Sequence, residues 1–151
     1  MCQAQGLNNE NKQTPQRSDH LSAAQRSRLM SNVRHQDTEP ELRVRRMADA
    51  LGYSYDLHPK DLPGTPDMVF PDRRKAVFVH GCFWHGHDCK AGRPRPKSNQ
   101  AYWSQKLAEN LRRDAAKEAS LRALGWNIFV IWECETKNEE TLRTRMEAIW
   151  D

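Results

Sequence analysis

Phe78-Val-His80-Gly-Cys82-Phe-Trp84-His85-Gly-His87-Asp-Cys89 is the stretch from which the rest of the chain can be read. It follows directly on an apolar run, Ala76-Val-Phe-Val79, that reads as a buried strand. Cys82, His87 and Cys89 offer three soft or borderline metal ligands within eight residues. Tetrahedral zinc takes four, and besides Cys2 the only other cysteine is Cys134. Cys134 closes a second apolar run, Ile128-Phe-Val-Ile-Trp132-Glu-Cys134, so one ion could clip two strand ends together. In an intracellular protein such a cluster reads as a structural zinc site before it reads as disulfides.

Phe83, Trp84 and His85 are left on the loop between the ligands. Two large aromatics on a metal-stiffened loop have two uses. They can form a small satellite core around the ion, or a wedge that stacks on or between bases.

Working outward, the totals bound the class. A chain of 151 residues is long enough for one domain with a proper core plus a tail. Lys and Arg number 24 against 20 Asp and Glu, a net charge of +4 that suits a polyanionic partner without requiring one. No apolar run is long enough to span a bilayer, and the N-terminus lacks the apolar core of a signal peptide. The expectation is a soluble, cytoplasmic protein with no membrane partner.

Residues 1–18 are rich in Gln and Asn, without apolar periodicity, and read as a disordered tail. Residues 19–151 read as the folded domain, with a short basic helix or arm over 19–34 that carries Arg26, Arg28 and Arg34 and the flexible apolar Met30. Thr38-Glu-Pro-Glu41 is a helix entry, with Thr38 as cap and Glu41 near the positive end of the dipole; that helix runs to Leu51 and closes at Gly52. A short strand is expected over Tyr53–Leu57. Pro63-Gly64 then sets a turn, Pro66 enforces extended backbone, and Asp67 opens an apolar strand that a turn at 71–74 returns as the central strand 75–80. An acid at the start of one strand, beside polar residues at the end of its hairpin partner, can hold Mg²⁺ against a phosphate. Residues 93–97 form a basic, proline-stiffened loop, and 99–124 a long helix, stopped by Gly125, with Leu107, Leu111, Ala115 and Ala119 or Leu121 on its apolar stripe and Asn110, Arg113 and Asp114 on its polar side. A strand over 127–132 and an amphipathic helix over 138–150 complete an α/β sandwich around a mixed sheet.

Leu62-Pro-Gly-Thr-Pro-Asp67, His80-Gly-Cys-Phe-Trp-His85 with His87 and Cys89, Tyr102-Trp103, Gly125-Trp126 and Trp132-Glu-Cys134 together closely resemble the very short patch repair (Vsr) DNA mismatch endonucleases. The resemblance spans about residues 18–150, with the motifs in order and correctly spaced. It implies a type II restriction endonuclease-like fold, a central mixed β-sheet flanked by helices, with a structural zinc site. It also implies Mg²⁺-dependent hydrolysis of one phosphodiester bond, 5′ of the thymine in a T:G mismatch left by deamination of 5-methylcytosine. By position, Asp67 would be the Mg²⁺-binding carboxylate. Val79 stands where the family has threonine, so only its backbone carbonyl could join the metal site. His80 and His85 match the active-site histidines, with His85 the better candidate for general base. Glu41 matches a helix acid that supports the site. Cys82, His87, Cys89 and Cys134 match the zinc ligands. Phe83, Trp84 and Trp103 match aromatics that enter the major groove, Met30 a residue inserted from the minor groove, and Asn110 and Asp114 polar residues facing the mismatch or the site. Double-stranded DNA with a T:G mismatch is the implied partner of a monomer working at the nucleoid, with mismatch-repair proteins as possible contacts of the tail.

Two other readings are compatible with these residues. One is a related nicking or restriction-type nuclease with another target. The other is a zinc-stabilised mismatch-DNA-binding module without catalysis, which the valine at position 79 favours.

Overall fold

In a computed structural model of the chain, the described residues are 36–151 together with Ser22, Ala24, Gln25 and Arg28. The chain divides into two compact units, Met1–Arg34 and His35–Asp151. In the first, Ala24, Gln25 and Arg28 are helical. Ser22 Oγ accepts the Gln25 N–H at 3.1 Å and Gln25 Oε1 accepts the Ser22 N–H at 2.9 Å, a reciprocal cap. The expected helix start at Ser18–Asp19 and the side chain of Met30 lie outside the described residues.

The second unit is built on four strands: β1 (Asp56–Leu57), β2 (Met68–Phe70), β3 (Lys75–His80) and β4 (Asn127–Trp132). They lie side by side in chain order, with β1–β2 and β2–β3 antiparallel and β3–β4 parallel, so the sheet is mixed as expected. The helices are α1 (Glu39–Ala50), α2 (Gln100–Ala123), the single turn α3 (Glu133–Thr136) and α4 (Glu139–Trp150). The β2–β3 reversal is a 3₁₀ turn over Pro71–Arg73 that ends with Arg74 in the left-handed region, its N–H returning to the Pro71 carbonyl at 3.1 Å. No helix among the described residues is long and apolar enough to cross a membrane.

Strand alternation divides the core in two. Met68, Phe70, Val77 and Ile131 face Val44, Met47 and Ala48 of α1 and Leu142, Met146 and Ile149 of α4. Val69, Ala76 and Phe78 face the other way, onto Leu121 of α2, with Trp126, Ile128 and Val130 around them. Apolar residues thus fill both faces of β2 and β3, which is why both strands read as continuous apolar runs rather than alternating ones. Trp150 seals one end by stacking on Tyr53 at 4.0 Å.

Three local expectations are revised. The strand expected over 53–57 pairs only at Asp56 and Leu57, because the backbone before it is closing α1: Tyr53 N–H returns to the Ala48 carbonyl at 2.9 Å. Cys134 does not end a strand. The chain turns helical at Glu133, and Glu135 Oε2 accepts the Trp132 N–H at 2.9 Å to cap the change. On α2 only Leu107 and Leu121 are buried, while Leu111 remains 50% exposed. Leu111 lies beside Gly86 of the loop before the helix, whose missing side chain leaves it half in solvent.

Candidate active site and metal centre

Asp67 sits one residue before β2, behind the buried Pro66 and a tight turn. That turn needs Gly64 for two reasons: its φ is +75, in the left-handed region, and a Cβ there would come within 2.7 Å of the Lys117 side chain. The Asp67 carboxylate folds across to β3, where Oδ2 accepts the Val79 N–H at 2.7 Å. Continuing the antiparallel register two residues beyond Met68↔Val77 sets Val79 opposite Pro66. In an extended strand the N–H and C=O of one residue point to the same edge, and Pro66 has no N–H to offer the Val79 carbonyl. A carboxylate and a carbonyl without a ladder donor therefore share one edge. Burial pushes the Asp67 carboxyl up to about 7; the Val79 N–H opposes the rise, the Glu41 charge adds to it, and Lys117 and Arg45 oppose it.

Glu41, 4% exposed, lies in the first turn of α1. Thr38 caps this helix by accepting the Glu41 N–H at 3.4 Å, and the Thr38 hydroxyl donates to Glu41 Oε1 at 3.2 Å. The Asp37 N–H and Arg45 Nη2 donate to Oε2 at 3.0 and 3.4 Å. Arg45 also pairs with Asp37 at 2.6 Å and reaches His58 Nε2 at 3.0 Å. His58 Nδ1 in turn lies 3.9 Å from Asp67 Oδ1. Arg45 and His58 were not among the expected site residues. An arginine one helical turn after Glu41 is the only local signal, and His58 carries none.

His80 and His85 stack with ring centroids 3.8 Å apart and planes at 8°. His80 ends β3 and is 7% exposed, packed against Phe78 and Trp132. Burial, reinforced by the neighbouring His85, lowers it to about 4, so its imidazole is neutral at physiological pH. His85 Nδ1 lies 2.5 Å from Asp114 Oδ2 on α2, 29 residues on. With a carboxylate accepting at Nδ1, the neutral ring carries its proton there, and Nε2 is then the nitrogen with the lone pair. Asp114, expected to face the mismatch or the site, is the partner of His85.

Cys82, His87, Cys89 and Cys134 bring one donor atom each to within 4.8 Å of one another. A tight loop places the first three: His87 N–H returns to the Cys82 carbonyl and Cys89 N–H to the His87 carbonyl, both at 3.0 Å. The α3 turn delivers Cys134, whose N–H points at Cys82 Sγ at 3.4 Å, while the Gly92 N–H points at Cys89 Sγ at 3.3 Å. Backbone N–H groups aimed at sulfur suit thiolates. Burial pushes the Cys82 thiol up to about 12, so a cation is what would hold it deprotonated. The His87 ring stacks on Trp132 at 4.2 Å, which fixes its direction. Three thiolates and an imidazole, all contributed by protein, match a closed, four-coordinate metal site.

Phe83, Trp84 and Trp103 form one half-buried cluster, with centroids 5.1, 5.6 and 5.9 Å apart, and Tyr102 packs on Trp103 at its exposed edge. None of the three is inside either core cluster. Asn110 Nδ2 donates to the Trp84 carbonyl at 3.0 Å, so α2 holds both the aromatic loop and, through Asp114, the imidazole beside it. The structure thus brings together Asp67, Val79, Glu41 and His58 on one side and His80, His85 and Asp114 on the other, joined through consecutive residues of β3; Cys82, the first of the cysteine and histidine cluster, follows two residues later.

A family model described as "DNA mismatch endonuclease Vsr" matches residues 18–91. The chain is 50% identical over 133 residues to the type II nicking enzyme V.XorIIP of Xanthomonas oryzae pv. oryzae, covering 88% of this chain and 97% of that one. It is 37% identical over 131 residues to the type II nicking enzyme V.NmeAIP of Neisseria meningitidis, covering 87% and 93%. It is 34% identical over 119 residues to the DNA mismatch endonuclease Vsr of Escherichia coli, covering 79% and 76%.

Proposed function

The chain belongs to the family of Vsr DNA mismatch endonucleases, and from that premise we propose that it is a Mg²⁺-dependent enzyme that nicks one DNA strand 5′ of the thymine in a T:G mismatch. The observation that carries the reading is the meeting, around the end of β3, of a gripped carboxylate and an oriented imidazole: Asp67 on the Val79 N–H, and His85 on Asp114.

Asp67 Oδ1 and the Val79 carbonyl would hold Mg²⁺, with water and phosphate oxygens completing the shell, and the ion would supply charge to the scissile phosphate. A valine at position 79 is no obstacle to this, because the contact needs only backbone. Asp114 holds His85 in the Nδ1–H tautomer, so Nε2 takes the proton from the attacking water. Water oxygen bonds to phosphorus, the bond to the 3′-oxygen breaks, and that oxygen leaves as a hydroxyl once protonated by solvent, giving a 5′-phosphate. His80, neutral and stacked on His85, adds no positive charge beside the base and offers a hydrogen bond to the phosphate. Glu41 sets the acidic field around Asp67 while itself tied to Arg45.

The quartet of Cys82, His87, Cys89 and Cys134 would hold structural Zn²⁺ and so brace the loop that bears Phe83 and Trp84. These, with Trp103, are the proposed wedge in the major groove, with Met30 entering from the minor groove. A mispair lowers the cost of unstacking, so a wedge favours mismatched over intact duplex. Residues 19–34 are the proposed DNA-binding arm, residues 1–18 a tail outside the domain, and the restriction endonuclease-like fold belongs to the same proposal.

The test is a nicking assay on T:G and C:G duplexes of one sequence with Mg²⁺. The native chain cuts only the first, and Asp67→Asn binds it without cutting. A variant that still cuts ends the assignment of Asp67; equal cutting of both duplexes points to a target other than the mismatch.

A further inference from the structure

Two acids, the buried Glu41 and the half-buried Asp67, lie close enough for the charge of one to act on the other, and between them stand Arg45 and His58. Arg45 is a donor only. Its Nη2 lies 3.0 Å from His58 Nε2, closer than Glu41 Oε2 at 3.6 Å from the same nitrogen, so in the neutral ring Nε2 accepts from the guanidinium and Nδ1 carries the proton. Nδ1 faces Asp67 Oδ1 at 3.9 Å, the oxygen left over once Oδ2 has taken the Val79 N–H. That separation is a small ring rotation from a hydrogen bond. The His58 backbone also donates to the Asp67 carbonyl at 3.4 Å, which ties the two residues across the sheet edge. His58 adopts φ 45, in the left-handed region. The ring is 15% exposed, so it is held in the site rather than displayed to solvent.

We propose that His58 is a positioning residue for the metal-binding carboxylate: Arg45 fixes its tautomer, and its Nδ1–H aims Asp67 Oδ1 at the cation. The inference rests on the reading of Asp67 as a metal ligand. Nothing in the reaction needs His58 to touch DNA. Its contribution is the orientation and electrostatic support that a ligand carboxylate draws from its own hydrogen-bond partners.

The experiment is calorimetric titration of Mn²⁺ into the full chain bound to a T:G duplex with a non-hydrolysable link at the cut position, beside the same duplex alone. His58→Ala is expected to weaken Mn²⁺ binding about tenfold while duplex affinity holds. His58→Asn, whose amide nitrogen takes the place of Nδ1 and which tolerates the left-handed backbone, is expected to restore most of it. Arg45→Met, which frees the tautomer, should resemble His58→Ala. His58→Gly removes the ring without backbone strain, so it reports the loss of the imidazole even if the alanine variant folds poorly. Native metal affinity in both His58→Ala and His58→Gly overturns the inference, as does equal weakness in His58→Asn and His58→Ala. Asp67→Asn is the control for the premise: if it loses Mn²⁺ binding while the His58 variants do not, only the positioning role falls, and if it binds Mn²⁺ like the native chain, the assignment of Asp67 falls with it.

Discussion

Replacing Asp114 by Asn should remove the base from the reaction while leaving the site its shape. The native contact is a short one, 2.5 Å from His85 Nδ1 to a carboxylate oxygen on a side chain only 14% exposed. An isosteric amide that turns its NH₂ toward Nδ1 drives the ring proton to Nε2, and the nitrogen facing the water then has no lone pair. What is lost is the general-base contribution, about 10²–10⁴ in rate, equal to about 2.7–5.4 kcal/mol of barrier. Single-turnover nicking of an end-labelled T:G duplex with saturating Mg²⁺ measures it directly, and duplex affinity in Ca²⁺ should be unchanged. Because Asp114 acts through His85, the double variant Asp114→Asn/His85→Ala should be no slower than His85→Ala alone. Native speed in Asp114→Asn, or losses that simply multiply, would refute the dyad and leave Asp114 as a structural neighbour.

The metal centre can be probed without touching a ligand: a Cβ at Gly92 would stand 2.0 Å from the His87 carbonyl oxygen, so Gly92→Ala must displace the loop and should cost at least about 1–3 kcal/mol. The native chain should carry one zinc by native mass spectrometry, and this variant should bind it more weakly. The raised Asp67 carboxyl gives two pH signatures. Between the unfolded value near 3.8 and the folded value of about 7 the folded chain keeps a proton that the unfolded chain has lost, so metal-free stability falls as pH rises through that window and levels above it. Asp67→Asn, which never ionises, should therefore melt about 4 °C or more above the native chain at pH 8 without divalent metal, and close to it at pH 4. The apparent affinity for Mg²⁺ should likewise climb with pH and flatten above about 7, followed by nicking rate against metal concentration. Trp84→Ala should weaken T:G binding by about 1–3 kcal/mol, the loss of one stacking platform, and intact-duplex binding by much less; equal losses in a competition assay would return Trp84 to packing.

Much of this molecule is written in short-range signals. β3 and β4 occupy the residues their apolar runs predict, and the Pro71–Arg74 reversal, the Thr38 cap and the Gly52 and Gly125 closures are all where turn chemistry puts them. The clustering of Cys82, His87, Cys89 and Cys134 was legible because cysteine and histidine at such spacing have few other uses, and Asp67 because Pro66 forces it to open a strand. These features depend on neighbours within a few residues, which is the range that propensity and spacing encode. Tertiary structure alone decided the rest. It chose the Nε2 of His85 as the free nitrogen by bringing Asp114 across 29 residues, set Arg45 and His58 between the two acids, and turned Cys134 inward on a helical turn instead of a strand end. It also left Leu111 half in water despite its place on an apolar stripe, because periodicity tells which face of a helix is apolar but not what lies against it. Contacts of that kind are properties of how the two faces of the sheet are covered, and no local pattern in the chain carries them.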